Sequence, residues 1–427
     1  MIFCATGDSF INRCIPENDP YIEEIASVIG KAEVRLTNLE TTIQDSEGYP
    51  AAFSGGTWAK ATPAVLDTLK IYGFNLISWA NNHTLDYSHG GLIATERHLN
   101  RYGFIHAGVG KNLHEASTPK YLECPSGRIA LIACVSTFHE SWIAGEQRKD
   151  EIGRPGVNPL RFETTYIINP KRLNDLKSTA GITNINAEDD LAIEEGFKIP
   201  PKEGVFLFGG HQFVAGEQEG KITIPHSGDM KRVTERIKEA VRKADYVLVS
   251  IHAHEMKGRS KDQPADYLIT FARNCIDAGA SAVIGHGPHV LRAIEIYKNR
   301  PIFYSIGNFI FHTETVTSQP SDFFEKYGLG AGHNVADALD AMSANYTRGL
   351  CVNQRVWESI IPQWCMNNGK LTYLTLHPIE LGFELPPYRM GWPRISNTVN
   401  ILERLAELSK PFGTSITINE FVGNVNL

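Results

Sequence analysis

Tyr246-Val247-Leu248-Val249-Ser250-Ile251 is a β-branched apolar run that stops abruptly at His252-Ala253-His254-Glu255. The run is short, apolar on both alternating faces and rich in Val and Ile, which predicts a strand buried on both sides. A helical pattern over Pro264 to Ala278 follows, then a second apolar run, Ala282 to Ile284, entering Gly285-His286-Gly287-Pro288-His289. Strand, helix, strand in that order predicts a parallel α/β unit, with its polar groups gathered where the strands end.

The same order extends outward on the N-terminal side. Residues 1 to 8 form an apolar run closing on Gly7-Asp8, Ile22 to Ile29 is helix-like, and Val34 to Leu39 is strand-like before Glu40. Pro63 to Tyr72 reads as a helix with Pro63 in its first turn, and Asn75 to Trp79 as a strand running into Asn81-Asn82-His83. A helix over Gly90 to Tyr102, a short strand at Gly103 to Ala107 and a strand at Ile129 to Ser136 complete this half. The alternation predicts an α/β fold with parallel or mixed sheets.

Two stretches read less clearly. From about 140 to 228 the pattern weakens, with helices predicted only at Pro170 to Ser178 and Asp189 to Glu195 and a strand or loop edge at Val205 to Phe208. This stretch is expected to be an insertion that covers or shapes a binding face. After the helix Asp229 to Ala244, an antiparallel pair is predicted for Val290 to Tyr297 and Pro301 to Ile306, turning at Lys298-Asn299-Arg300. From about 312 to 427 a C-terminal elaboration is expected, with strands at Val356 to Trp364 and Leu371 to Glu380 and a helix at Thr398 to Ser409.

Composition narrows the function classes. With 41 Lys and Arg against 48 Asp and Glu, the net charge of -7 offers no global field for nucleic acid, so no nucleic-acid partner is predicted. No run of 18 apolar residues and no basic leader followed by an apolar stretch occurs, so no integral membrane segment is expected and the chain reads as cytoplasmic. The 7 cysteines are widely spaced without a C-x-x-C pair and read as mostly buried apolar residues in a reducing compartment. Neither a dinucleotide fingerprint nor a G-x-x-x-x-G-K-[ST] phosphate loop is present.

Five polar stops at strand ends remain: Asp8, Glu40, Asn82-His83, His252 to Glu255, and His286 to His289. Carboxylates from Asp8 and Glu40, the Asn82 amide oxygen and imidazoles from His252, His286 and His289 form a mixed oxygen and nitrogen set. That mixture suits Mn, Fe or Zn better than an all-oxygen calcium cage. Six ligands exceed the need of one four-coordinate ion, so two divalent metal ions are expected, with Glu40 bridging them and a shared hydroxide between. His83 is placed to donate a proton to a leaving group, and His254 and Glu255 to orient His252 or touch substrate. Of the other histidines, His211 and His226 are the two in the insertion that could reach the site. Gly55-Gly56 with Trp58, and the cations Arg13, Lys257 and Arg259, are further candidates for contact with an anionic substrate.

At these residues the chain resembles the capsule-synthesis CapA family, the poly-γ-glutamate biosynthesis proteins, within the calcineurin-like metallophosphoesterases. The resemblance rests on Thr6-Gly7-Asp8, Thr37-Asn38-Leu39-Glu40, Asn81-Asn82-His83 with Asp86, His252-Ala253-His254-Glu255, Gly285-His286-Gly287-Pro288-His289-Val290 and Tyr304-Ser305-Ile306-Gly307-Asn308-Phe309-Ile310-Phe311, in family order across 2–311. It implies a single domain over 1–427 built as a four-layer α/β/β/α sandwich, with Asp8, Glu40, Asn82, His252, His286 and His289 as metal positions. The wider group carries a ligand His two residues after the first Asp, where this chain has Phe10, and commonly a bridging Asp where this chain has Glu40. The implied activities are hydrolysis of a phosphoester or related anionic substrate, γ-glutamyl amide chemistry, or non-catalytic binding of a polyglutamate-like polymer during capsule assembly.

Overall fold

The computed structural model describes residues 1–16 and 18–427. Among these, a ten-stranded and a six-stranded sheet lie face to face. In the larger sheet Ile105–Ala107, Leu76–Ser78, Val34–Leu39, Ile2–Phe10 and Asn308–Phe311 run parallel. Glu358–Asn367 and Lys370–Glu380 extend it antiparallel, and Ile416–Asn419 and Val422–Val425 finish that edge. In the smaller sheet Gly127–Val135, Tyr246–His252, Ala282–His286 and Arg300–Phe303 are parallel, with Lys120–Cys124 and Ile294–Tyr297 antiparallel at the edges.

Alternation along the strands decides the layers. Phe3, Ala5, Val34 and Leu36 of the larger sheet meet Leu131, Leu248 and Ile284 of the smaller one between the sheets. Their neighbours Val247, Val249 and Ile251 point the other way, onto Val233 and Ile237 of the helix Ser227–Val241 and Leu268 and Phe271 of Asp266–Ala278. Cys4 and Ile77 likewise face Ile25, Leu66, Leu69 and Leu99 on the helices Ile22–Gly30, Val65–Ile71 and Ser88–Arg101. Spacings of three and four residues put those helical side chains on one stripe. The result is the α/β/β/α sandwich with mixed sheets, as expected, and most strand and helix boundaries fall within a few residues of those read from the sequence.

One stretch holds more structure than its patterning suggests. Residues 140–228 contain a four-stranded sheet of Phe206–Phe208, His211–Ala215, Phe162–Ile168 and Gly220–Pro225 in that spatial order. It packs on the helix Asp266–Ala278, where Phe162 stacks on Tyr267 at 4.4 Å and the Thr223 hydroxyl accepts from the Tyr267 amide. Its strands are only half-buried, so they lack the apolar runs that betray core strands. Near the C-terminus, the helix Asn400–Ser409 inserts Ile401, Leu402 and Leu405 into the core between the sheets.

The turn at Lys298 and Asn299 has φ of 49° and 61°, the left-handed pair that closes a two-residue hairpin, and joins the predicted antiparallel strands. Three cysteines are buried, Cys4, Cys134 and Cys275, whereas Cys14 is exposed and the other three are intermediate, so the expectation of mostly buried cysteines is not met. No helix among the described residues is long and apolar enough to cross a membrane.

One close approach fixes the strand that carries Asp8. A Cβ at Gly7 would lie 2.1 Å from the Gly307 carbonyl oxygen, and that same carbonyl accepts from the Asp8 amide at 3.0 Å. Gly7→Ala is therefore expected to push Ile2–Phe10 off its neighbour and cost ~1–3 kcal/mol in urea unfolding. An unchanged unfolding midpoint would mean that this contact is slack.

Candidate metal centre

Every candidate ligand stands where a parallel strand ends. Asp8 lies near the end of Ile2–Phe10, at an irregularity in the ladder where it pairs with both Asn38 and Asn308. Glu40 directly follows Val34–Leu39, and Asn81 to His83 follow Leu76–Ser78. His252 and His286 terminate adjacent strands of the other sheet and sit in register. The mouth between the two sheets therefore receives donors from both.

Glu40 is at the middle. Its Oε1 lies 3.6 Å from His252 Nε2, 3.9 Å from His289 Nε2 and 4.0 Å from His83 Nε2. Two groups with metal-binding spacing share it, Asp8 with Glu40 and His289, and Glu40 with His252 and His254. His254, expected as an orienting or substrate-contacting group, thus stands among the donors, its Nε2 3.0 Å from His252 Nε2. His286 is fully buried with Nδ1 3.6 Å from Asp8 Oδ1, and Asn82 uses its amide nitrogen on the Gly55 carbonyl at 3.2 Å.

Unmet acceptors test whether these residues fit an ion. Both Glu40 oxygens, Asn82 Oδ1 and both His286 ring nitrogens are buried without a hydrogen-bond partner among the described residues. Each such orphan costs on the order of 1–3 kcal/mol. Lone pairs aimed together in a desolvated spot are what a divalent cation satisfies, and oxygen and imidazole donors are ordinary ligands of such ions. The residues fit two ions sharing Glu40.

Electrostatics point the same way. Burial raises Asp8 to about 7, opposed by the Asn38 and Gly287 hydrogen bonds, and burial followed by the charges of Asp8 and Asp86 pushes Glu40 well above the carboxylate range. Burial drops His286 and His289 to about 3, while His252 and His254 fall well below the imidazole range through burial and the neighbouring imidazoles. Neutral imidazoles are the ligating form, and a cation would offset the cost of ionising the carboxyls.

Around the donors lies a set of braces. Asn38 Nδ2 donates to Asp8 Oδ1 at 2.8 Å, and the Gly287 amide donates to Asp8 Oδ2 at 3.0 Å from a backbone with φ of 114°. The Asn308 amide oxygen meets His289 Nδ1 at 2.9 Å, which leaves Nε2 as the ring nitrogen toward Glu40. Arg292 is fully buried and donates to the carbonyls of Ala253, His254 and Glu255, clamping the turn after His252. Asn38 and Asn308 sit inside quoted motifs, but their roles need the register; Arg292 carries no local signal at all.

Glu255 does not orient His252. Its carboxylate accepts from Ser136, Thr137 and Tyr267, and Thr137 Oγ1 in turn accepts from the His254 amide, so it positions the His254 backbone from behind. His83 Nδ1 is bound to Asp86 Oδ2 at 2.6 Å, and Asp86 is fixed by the amides of Ala59 and Gly55. Phe10 packs edge-on against His83 at 5.1 Å, so apolar wall replaces a ligand there.

A cavity of about 240 Å³ opens beside the donors, bounded by Phe10, His83, His289, Phe311, Lys326 and Arg348, with Gly55 and Gly56 on its rim. Residues 140–228, expected to shape the binding face, supply none of its described lining; the 313–351 segment does. His211 meets Tyr166 and His226 caps the helix Ser227–Val241, both away from the donors. Arg13 is spent on the carbonyls of Tyr388 and Met390, and Lys257 on Asp266.

The family model of the bacterial capsule synthesis protein PGA_cap matches residues 3–313. The chain belongs to the PGA_cap family. Among its curated relatives, the uncharacterized protein y4uA of Sinorhizobium fredii is 34% identical over 99% of this chain and 92% of its own length. The capsule biosynthesis protein CapA of Bacillus anthracis is 35% identical over 79% of this chain and 66% of its own. A solved hypothetical protein from Thermus thermophilus aligns over 89% of this chain and 99% of its own at 12% identity and a TM-score of 0.41. The PGA_cap match spans the strands that end at Asp8, Glu40, His252 and His286, and it stops at the start of the segment that lines the cavity.

Two outcomes are expected. In chelator at pH 8, Glu40→Gln removes a buried carboxyl with no partner and raises the melting temperature by roughly 1–4 °C, yet it abolishes the stabilisation that added Mn²⁺ gives the unchanged protein. A lower melting temperature in chelator, or an intact Mn²⁺ response, contradicts the bridging role. Secondly, Asp8 holds a proton up to about 7 in the fold but releases it near 3.8 when unfolded, so it makes metal-free stability fall as pH rises through that window. Asp8→Asn removes this opposing contribution, and its urea midpoint should climb more steeply with pH there than that of the unchanged protein; parallel slopes refute the assignment.

Proposed function

We propose that the chain is a divalent-metal-dependent hydrolase acting on a phosphoester or a related anionic substrate. The observation that carries this reading is the buried Glu40 carboxylate, unpartnered at both oxygens and shared by two donor groups. Divalent ions held there supply Lewis-acid charge to an anionic substrate and activate water as the nucleophile. Asp8, Glu40, Asn82, His252, His254, His286 and His289 are assigned to holding them.

The remaining steps belong to the side chains. Asp86 holds His83 Nδ1, so His83 Nε2 faces Glu40 and the cavity, where it donates a proton to the departing oxygen. Phe10 and Phe311 keep that side of the cavity dry, and Lys326 and Arg348 supply positive charge to a leaving group that is organic and anionic. The Asn38, Asn308 and Gly287 contacts fix the donors before substrate arrives. We take 1–427 as one domain, with its chemistry in 2–311 and its specificity in the C-terminal part.

A second reading, γ-glutamyl amide hydrolysis or transfer, draws on the sequence resemblance to the poly-γ-glutamate biosynthesis proteins. Following phosphate and amine release together separates them. With an alkyl phosphomonoester, glycerol phosphate, as probe, phosphate release is expected to vanish in chelator and return with Mn²⁺. His83→Gln should lower kcat by about 10²–10⁴-fold while leaving ion uptake intact. Full turnover by the chelated protein, or amine release alone from a γ-glutamyl peptide, rejects the phosphoesterase assignment.

A further inference from the structure

A second cavity of about 240 Å³ lies beside the first and has the opposite character, being lined by Arg259, Lys261, Arg355 and Arg404 with Asp262 as its one carboxylate. The two cavities share their partitions. His289 lines the first and Val290 the second, and Cys351 lines the first and Asn353 the second. At the His289 partition the walls are therefore one residue apart, ~3.8 Å along the chain.

The positive charge here is not cancelled internally. Arg355 pairs with Asp262 at 3.2 Å and Arg404 Nη1 with Glu358 at 2.6 Å. Arg259 and Lys261 have no side-chain hydrogen bond or ion pair among the described residues, and Arg404 Nη2 is buried without a partner. Behind the wall, the guanidinium of buried Arg292 donates to the Lys261 carbonyl at 2.8 Å and to three further carbonyls, bringing one more charge with no carboxylate bound to it. A concentration of cations in a chain of net charge -7 is a local feature with a local cause.

We infer that this cavity is a second anion-binding site, taking a phosphate or carboxylate group through Arg259, Lys261 and the free Nη2 of Arg404. Arginine and lysine converging on one cavity provide charge-assisted hydrogen bonds to an oxyanion, and such an anion would satisfy the orphaned guanidinium nitrogen. Because it adjoins the metal centre across one residue, it is placed to hold a second anionic group of a ligand whose first group meets the metals. The binding itself requires no metal and no turnover.

That independence sets the test. The full chain in chelator is titrated calorimetrically at low ionic strength with pyrophosphate and, separately, with tricarballylate, which distinguish phosphate from carboxylate ligands. The unchanged protein is expected to bind at least one of them. The exposed pair Arg259→Ser and Lys261→Ser should weaken it about tenfold or more without moving the melting temperature. Arg404→Lys, which keeps the Glu358 ion pair and loses the second guanidinium nitrogen, should weaken it as well. Failure of both anions to bind, or equal binding by all three proteins, overturns the site; loss of phosphoesterase activity alone bears only on the metal centre.

Discussion

The structure turns on one constraint, a carboxylate buried where no described residue satisfies it. Glu40 is wholly buried, neither oxygen has a hydrogen-bond partner, and Asp8 and Asp86 add negative charge nearby. A protein does not keep such a group for stability, since replacing it by a neutral isostere relieves the desolvation cost. Four imidazoles and a second carboxylate converge on the same spot, and cations held there would offset the cost of burying them together.

The sandwich exists in a form that makes this convergence possible. Parallel strands from two sheets end at one mouth, so donors separated by more than two hundred residues, such as Asp8 and His252, come within 3.7 Å. A few close contacts within and across the sheets hold the spacing. The Gly7 and Gly307 approach sets Asp8 against the strand Asn308–Phe311, the Gly287 amide ties Asp8 to the His286 turn, and Arg292 ties that turn to the one after His252. The centre is thus braced by backbone as much as by side chains, which is the usual requirement for an ion site that keeps its geometry when empty of substrate.

Much of this is legible in the sequence because burial on both faces leaves an unmistakable trace. Runs such as Tyr246 to Ile251 or Ala282 to Ile284 have no charged interruption, and the residue that ends each run is the one that reaches the mouth. The strands of 140–228 leave no such trace, because a sheet lying on an outer helix is half exposed and its alternation is diluted by Thr, Glu and Lys. His254 is read from the sequence as an orienting or substrate-contacting group, and its place among the donors escapes that reading for a related reason. In a regular strand His252 and His254 would share a face, but the chain leaves the ladder after His252, and only the bend held by Thr137 and Arg292 brings the two Nε2 atoms together. The cavity lining from 313 to 351 is likewise invisible, since short helices and loops carry no periodic signal.

The central claim is that Glu40 lies between two ions. Anomalous diffraction from crystals grown with Mn²⁺ tests it most directly. The account predicts two anomalous peaks roughly 3.5–4 Å apart, one beside Asp8 and His289, the other beside His252 and His254, with a Glu40 oxygen facing each. A single peak, or two peaks that Glu40 does not touch, would contradict it.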